Sequence, residues 1–179
     1  MLKQLIIAGF GGQGILLMGQ LLAYAGMLTD KEVSWMPAYG AEMRGGSANC
    51  AVIISDDPIG SPKVEDADFV VAMNRLSMDL FEKNLVPGGV LMLNSSIINT
   101  EPKRKDIKVV KIPCNEIADR LGNARVANMV MLGALLAVDP IFTEEILIES
   151  LREKWGPTRE KLIPVNQQAV EEGMKVVKG

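Results

Sequence analysis

The residues predict an α/β fold, with a doubly wound, mostly parallel sheet, helices on both faces and a helical C-terminal third. Three observations carry this. A short apolar run, Leu5-Ile6-Ile7-Ala8, ends at a glycine-rich turn and is followed by an apolar segment of helix length. Strand, turn and helix in that order open a parallel sheet of the Rossmann-like kind. Short β-branched runs then recur along the chain, separated by turn clusters and helical patterns. From Asn115 onward only helical patterns remain. The 179 residues contain no internal repeat, low-complexity tract or linker, so residues 1–179 are expected to form a single domain.

Each element follows from its own residues. Leu5 to Ala8 reads as a buried strand. Ile15-Leu16-Leu17, Met18, Leu21-Leu22 and Ala25 predict a largely buried helix to about Leu28. Val33 to Tyr39 reads as a second strand, with Pro37 near its end, and Gly40 to Gly46 as a glycine-rich loop. Ala51 to Ile54 is a third strand, and Asp56 to Pro62 is dense in turn residues. Asp68 to Met73 is a fourth strand, followed by a helix from about Leu76 to Asn84. Pro87-Gly88-Gly89 reads as a turn, Val90 to Leu93 as a fifth strand, and the alternating Ile107 to Ile112 as a sixth. Asn115 to Val138 is helical with a break at Gly122-Asn123, and Asn128 to Ala137 is apolar enough for the core. Thr143 before Glu144-Glu145 is an N-cap signal for a helix to about Trp155. An amphipathic helix closes the chain over about Val165 to Val177.

Composition narrows the function. The formal net charge is −3, and the longest basic run is Lys103-Arg104-Lys105, expected in a solvated loop. Nucleic-acid binding through charge is therefore not expected. There is no histidine, and the two cysteines, Cys50 and Cys114, lie far apart and outside any C-x-x-C pattern. The chain alone builds neither an iron–sulfur nor a zinc site, and free thiols in a reducing cytoplasm are expected. No apolar stretch is long enough for a bilayer, and no basic n-region or cleavage site precedes the first strand, so neither a membrane partner nor a signal peptide is expected. Without histidine the commonest general base is missing. No catalytic residue and no metal site is expected, and the chain would contribute binding and positioning.

The first glycine turn holds Gly9, Gly11 and Gly14 in G-x-G-x-x-G spacing, with Gly12 and Gln13 between. Such a turn brings backbone close to a phosphate, and the following helix supplies N–H donors and a positive dipole. It also serves as a tight strand-to-helix turn with no ligand. NAD binding needs in addition an acid at the end of the second strand to hold the ribose. That strand ends Met36-Pro37-Ala38-Tyr39, with Glu32 at its start and Glu42 out in the loop. Gln13 brings an amide to the turn. The loop after strand two places Arg44 beside Gly45-Gly46, where a guanidinium grips phosphate or carboxylate, or pairs with Glu42. Asn74, at the end of strand four, is either part of the same edge or a helix N-cap. Cys50 lies near this loop but has no histidine partner for a nucleophile.

Taken together, Gly9-Phe10-Gly11-Gly12-Gln13-Gly14 and Tyr39-Gly40-Ala41-Glu42-Met43-Arg44-Gly45-Gly46-Ser47-Ala48-Asn49-Cys50 resemble the gamma subunit of 2-oxoacid:ferredoxin oxidoreductases. Ala67-Asp68, Asn74, Pro87-Gly88-Gly89 and the Asn128 to Leu136 helix fit the same pattern, so the resemblance covers nearly the whole chain. The resemblance implies a complex that converts a 2-oxo acid, CoA and oxidised ferredoxin to acyl-CoA, carbon dioxide and reduced ferredoxin. Thiamine diphosphate with Mg, and iron–sulfur clusters, would sit on alpha, beta and delta-type subunits. The chain itself would hold no cofactor alone and would meet CoA. The Met43-Arg44-Gly45-Gly46 loop resembles the 2-oxoglutarate and branched-chain 2-oxoacid members more than the pyruvate type, with 2-oxoglutarate the expected substrate and the indolepyruvate members left open. The site residues implied are Gly9, Gly11, Gly12, Gln13, Gly14, Arg44, Gly45, Gly46 and Asn74. Two other readings stay open: a stand-alone NAD(P)-binding oxidoreductase, and a structural subunit whose loops touch only partner chains.

Overall fold

A computed structural model of the chain describes residues 1–40 and 46–179. Glu42, Arg44 and Gly45, named above for the second loop, lie outside the described residues. The elements run β1 (Leu2–Phe10), α1 (Ile15–Leu28), β2 (Glu32–Tyr39), β3 (Ser47–Ser55), β4 (Ala67–Ala72), α2 (Arg75–Phe81), β5 (Leu85–Asn94), β6 (Lys108–Ile112), α3 (Cys114–Arg120), α4 (Ala127–Val138), α5 (Glu144–Trp155) and α6 (Ile163–Lys178). They form one six-stranded sheet in the order β2-β3-β1-β4-β5-β6.

The sheet is mixed. β1, β4, β5 and β6 pair in parallel, whereas β3 is antiparallel to both β1 and β2. The stretch Gly40–Gly46 is too short to carry a crossover helix, so β2 and β3 return as a hairpin. β3 is also longer than the Ala51–Ile54 run expected, because it pairs along its whole length, from Ser47 opposite Phe10 to Ser55 opposite Leu2. Pro87-Gly88-Gly89, expected as a separate turn, lies within β5. There the register with β4 slips between Ala67–Leu85 and Phe69–Val90, and Gly88 takes φ +77°. The turn residues mark a bulge in the strand and not its boundary.

Successive side chains of the strands enter opposite layers. Leu5, Ile7, Val52, Ile54, Val71, Met73 and Met92 face the larger core with α1, α3, α4, α5 and α6. Ile6, Ile53, Val70, Ala72, Leu91 and Leu93 face a smaller one with Met78 of α2, Val64 and Ile98. α4 is buried from Asn128 to Leu136, as its apolar run predicts. It crosses α6 at backbone contact: a Cβ on Gly133 would lie 2.0 Å from the Val170 carbonyl oxygen, and one on Gly173 would lie 1.9 Å from that of Val130. Lys3 at the start of β1 pairs with Asp139 after α4 at 2.5 Å.

The basic run Lys103-Arg104-Lys105 is in a loop, but Arg104 is not simply solvated. Its guanidinium donates to the carbonyls of Glu82 and Leu85 and pairs with Asp106, tying the loop before β6 to the start of β5. Among the described residues, no helix is long and apolar enough to cross a membrane.

Candidate anion-binding site

β1 carries the chain to Phe10 at the carboxyl edge of the sheet, and the turn Gly11–Gly14 reverses it into α1. Gly12 has φ +93° and Gly14 has φ +74°, a region that side-chain-bearing residues rarely adopt. Gly14 is the N-cap of α1, and no side chain among the described residues caps the helix. Its first turn, Ile15-Leu16-Leu17, holds no acid. The leading N–H groups of a helix have no intrahelical acceptor. Among the described residues no side chain caps them and the first turn brings no acid to them, so they suit an anion. Gly11 and Gly12 are exposed at this point and Gly14 is half-buried.

The hairpin brings the second loop to the same place. Gly9 pairs with Ala48, and Ala48 with Tyr39, so the end of β2 and the start of β3 stand beside the end of β1. The Gly40 N–H donates to the Ser47 carbonyl at 2.7 Å, closing the hairpin stem, and the Gly11 N–H donates to the Gly46 carbonyl at 2.8 Å, joining the two loops directly. β1 and β2 run in the same direction, so the loops that follow them share one edge, and antiparallel β3 between them brings Gly46 against Gly11.

Gln13 and Asn74 meet under the turn. Gln13 Oε1 accepts from the Phe10 N–H at 2.7 Å, and Gln13 Nε2 donates to the Met73 carbonyl at 3.0 Å. Asn74 is 2% exposed. It is the N-cap of α2, its Oδ1 accepting from the Ser77 N–H at 2.9 Å, and its Nδ2 lies 3.4 Å from Gln13 Oε1. Gly9 is buried against the same amide. The structure therefore gathers Gly9, Gly11, Gly12, Gln13, Gly14, Gly46 and Asn74 at one edge. The glycine backbones of the turn face outward and the two amide side chains face inward.

One neighbour was missed in the sequence. Asn128, in the first turn of α4, is buried at 3% exposure, and its Nδ2 stands 2.4 Å from where a Cβ on Gly14 would be. The third glycine of the motif thus makes room for Asn128. The signal was a lone amide at the start of the apolar run Asn128 to Ala137. At the end of β5, Asn94 is fully buried and donates to Asn115 Oδ1 at 2.8 Å.

The remaining chemistry-bearing groups belong to the core. Cys50 and Cys114 are free and buried, and burial pushes each thiol up to about 12. Cys50 Sγ lies 3.7 Å from the Ile15 carbonyl and next to the half-buried Trp35. Among the described residues, no group of three or more histidine, cysteine or acidic side chains is placed to hold a metal ion.

The family model for pyruvate ferredoxin/flavodoxin oxidoreductase matches residues 4–176. The chain is similar to ketoisovalerate oxidoreductase subunit VorA of Methanothermobacter thermautotrophicus, with 40% identity over 93% of this chain and 35% of the relative. It is also similar to the 2-oxoglutarate:ferredoxin oxidoreductase of Magnetococcus marinus, solved with 2-oxoglutarate, coenzyme A and succinyl-CoA bound. That match has TM-score 0.89 and 27% identity, and covers 99% of this chain and 31% of that one. The keto/oxoacid ferredoxin oxidoreductase gamma subunit of Geobacter sulfurreducens matches over 98% of both chains, with TM-score 0.82 and 27% identity. The chain thus spans about a third of the first two relatives, 35% and 31%, and nearly all of the third. With the family pattern matched from the first strand to the last helix, the chain belongs to the pyruvate ferredoxin/flavodoxin oxidoreductase family, as a domain of its gamma-subunit type.

Proposed function

We propose that the chain is the gamma part of a 2-oxoacid:ferredoxin oxidoreductase and that its glycine turn receives the phosphates of CoA. The observation that carries this reading is the uncapped, acid-free N-terminus of α1 behind an exposed glycine backbone. The relative from Magnetococcus marinus, solved with CoA bound, supports it. In the reaction, a 2-oxo acid loses carbon dioxide, its acyl group passes to the CoA thiol, and the electrons pass to ferredoxin. Thiamine diphosphate with Mg, and iron–sulfur clusters, supply the decarboxylation and electron transfer. This chain's buried, separate cysteines suit no cluster, so those groups are assigned to alpha, beta and delta-type partners. On this reading the complex works in the cytoplasm.

The chain's own residues bind and orient. The N–H groups of Gly12, Gly14 and the first turn of α1 take phosphate oxygens, and Arg44, Gly45 and Gly46 of the second loop complete the grip. Exposed apolar side chains support the subunit role. Phe10 and Met36 leave the sheet on the α2 side, and Leu76 and Leu80 lie on α2 itself, all at least 40% exposed.

A stand-alone NAD(P) enzyme fits less well. In a dinucleotide fold the second strand lies beside the first and its terminal acid holds the ribose. Here antiparallel β3 occupies that neighbouring position, and β2, one strand farther out, ends at Tyr39. For the 2-oxo acid, we favour 2-oxoglutarate, with ketoisovalerate as the competing substrate.

The test is Arg44→Ala in the assembled complex. The KM for CoA is expected to rise about tenfold, as for one lost charge-assisted contact, with the KM for the 2-oxo acid unchanged. An unchanged CoA KM removes Arg44 from the site. Comparing kcat/KM for 2-oxoglutarate and ketoisovalerate in the same complex assigns the substrate.

A further inference from the structure

The Gln13 amide is engaged through both its oxygen and its nitrogen. Its Oε1 faces two donors, the Phe10 N–H at 2.7 Å and Asn74 Nδ2 at 3.4 Å, and its Nε2 donates to the Met73 carbonyl at 3.0 Å. These partners sit at the ends of β1 and β4, adjacent parallel strands that are also joined by the Met73 N–H to the Ala8 carbonyl at 2.9 Å. A Cβ on Gly9 would stand 2.5 Å from Gln13 Oε1. The first glycine of the motif therefore leaves room for this amide and for Ile15 Cδ1, 2.6 Å from the same point, and not for a phosphate.

Between Gly11 and Gly14, Gln13 is the one residue with a side chain. Glycine loses more conformational freedom on ordering than any other residue. A turn of glycines thus needs an external anchor if its N–H groups are to be aligned before a ligand arrives. The anchor must accept from a backbone N–H and donate to a carbonyl at once. A glutamine amide does both. A glutamate would set a second acceptor against the Met73 carbonyl, and a methionine would offer neither bond.

We infer that Gln13 is a positioning residue, bracketing the glycine turn to the end of β4 so that the backbone, and not the Gln13 side chain, meets the ligand. Asn74 serves the same bracket from the other side while capping α2. For CoA as the ligand, this rests on the function proposed above.

The experiment uses the assembled complex carrying Gln13→Met, with two readouts. The first is hydrogen exchange of the Phe10 and Gly11 amides without ligand, expected to accelerate about tenfold as the bracket is lost. The second is steady-state kinetics, with the CoA KM expected to rise about tenfold and kcat to stay within about twofold. Unchanged ligand-free exchange with a raised CoA KM means that the side chain touches the ligand, and overturns the inference. Unchanged exchange and unchanged KM overturn it as well. Faster exchange with an unchanged CoA KM supports the bracket and removes CoA from the turn, so the two readings fail separately. Gln13→Glu, which keeps the acceptor and loses the donor, is expected to fall between wild type and Gln13→Met. Gly9→Ala supplies an independent check. It should accelerate exchange in the wild type, where the methyl crowds both the amide and Ile15 Cδ1, and add less in a Gln13→Ala background, where only Ile15 is crowded. Strict additivity of the two substitutions contradicts the bracket.

Discussion

At the scale of single residues, burial decides what the two thiols do. Cys50 and Cys114 sit in the larger core, and loss of solvation raises each from an ordinary 9.0 to about 12. Thiolate is the reactive form, so both are expected to resist iodoacetamide at pH 8 in the folded chain and to react at once in denaturant. Labelling at the native rate of a free thiol contradicts this. The sign for stability follows from linkage. Between the ordinary value of 9.0 and about 12 the unfolded chain has released these protons and the native chain has not, so the unfolded state is favoured as pH rises through that window. Below it the thiols contribute no pH dependence. The denaturation midpoint should therefore fall above about pH 9. The inert role of Cys50 was legible in the sequence, because no histidine exists to activate it. The direction of Gln13 was not. The spacing put its amide at the phosphate-facing turn, but the carbonyl that holds it, that of Met73, is sixty residues away in the chain.

At the scale of elements, helix beginnings were the most legible features, since they depend on neighbours in sequence. Thr143 caps α5 as its residues predict, with Oγ1 accepting from the Ile146 N–H at 3.4 Å and Glu144 and Glu145 in the first turn. Thr143→Ala should cost about 0.5–1 kcal/mol, at the low end for caps because the bond is long. A two-state urea titration measures it, and a loss above about 2 kcal/mol would point to a role beyond the cap. The final helix starts at Ile163, ahead of the expected Val165, because Pro164 is tolerated in a first turn. Strand direction was not legible. β2 and β3 have the apolar content of parallel strands, and only the length of Gly40–Gly46 forces the hairpin. The same local reading took Pro87-Gly88-Gly89 for a boundary, because a bulge and a turn use the same residues.

At the scale of the whole molecule, α4 and α6 of the C-terminal third are joined by one close crossing. Gly133 and Gly173 each face carbonyl backbone of the opposite helix at under 2.1 Å from an added Cβ. Backbone does not yield as a flexible side chain does, so Gly173→Ala is expected to destabilise the chain by about 3 kcal/mol. Circular dichroism with thermal melting reads this out, and an unchanged midpoint would mean that the helices slide apart freely. The apolar content of α4 predicted its burial, but not that its closest partner would be α6. The sheet also has an asymmetric boundary. β2 is an edge strand, and Pro37 within it has no N–H to offer. A further strand laid along that margin would find a gap in its ladder. The sheet is thereby discouraged from growing sideways, and this favours association through side-chain surfaces, where fit is selective, over backbone pairing, which accepts almost any extended peptide.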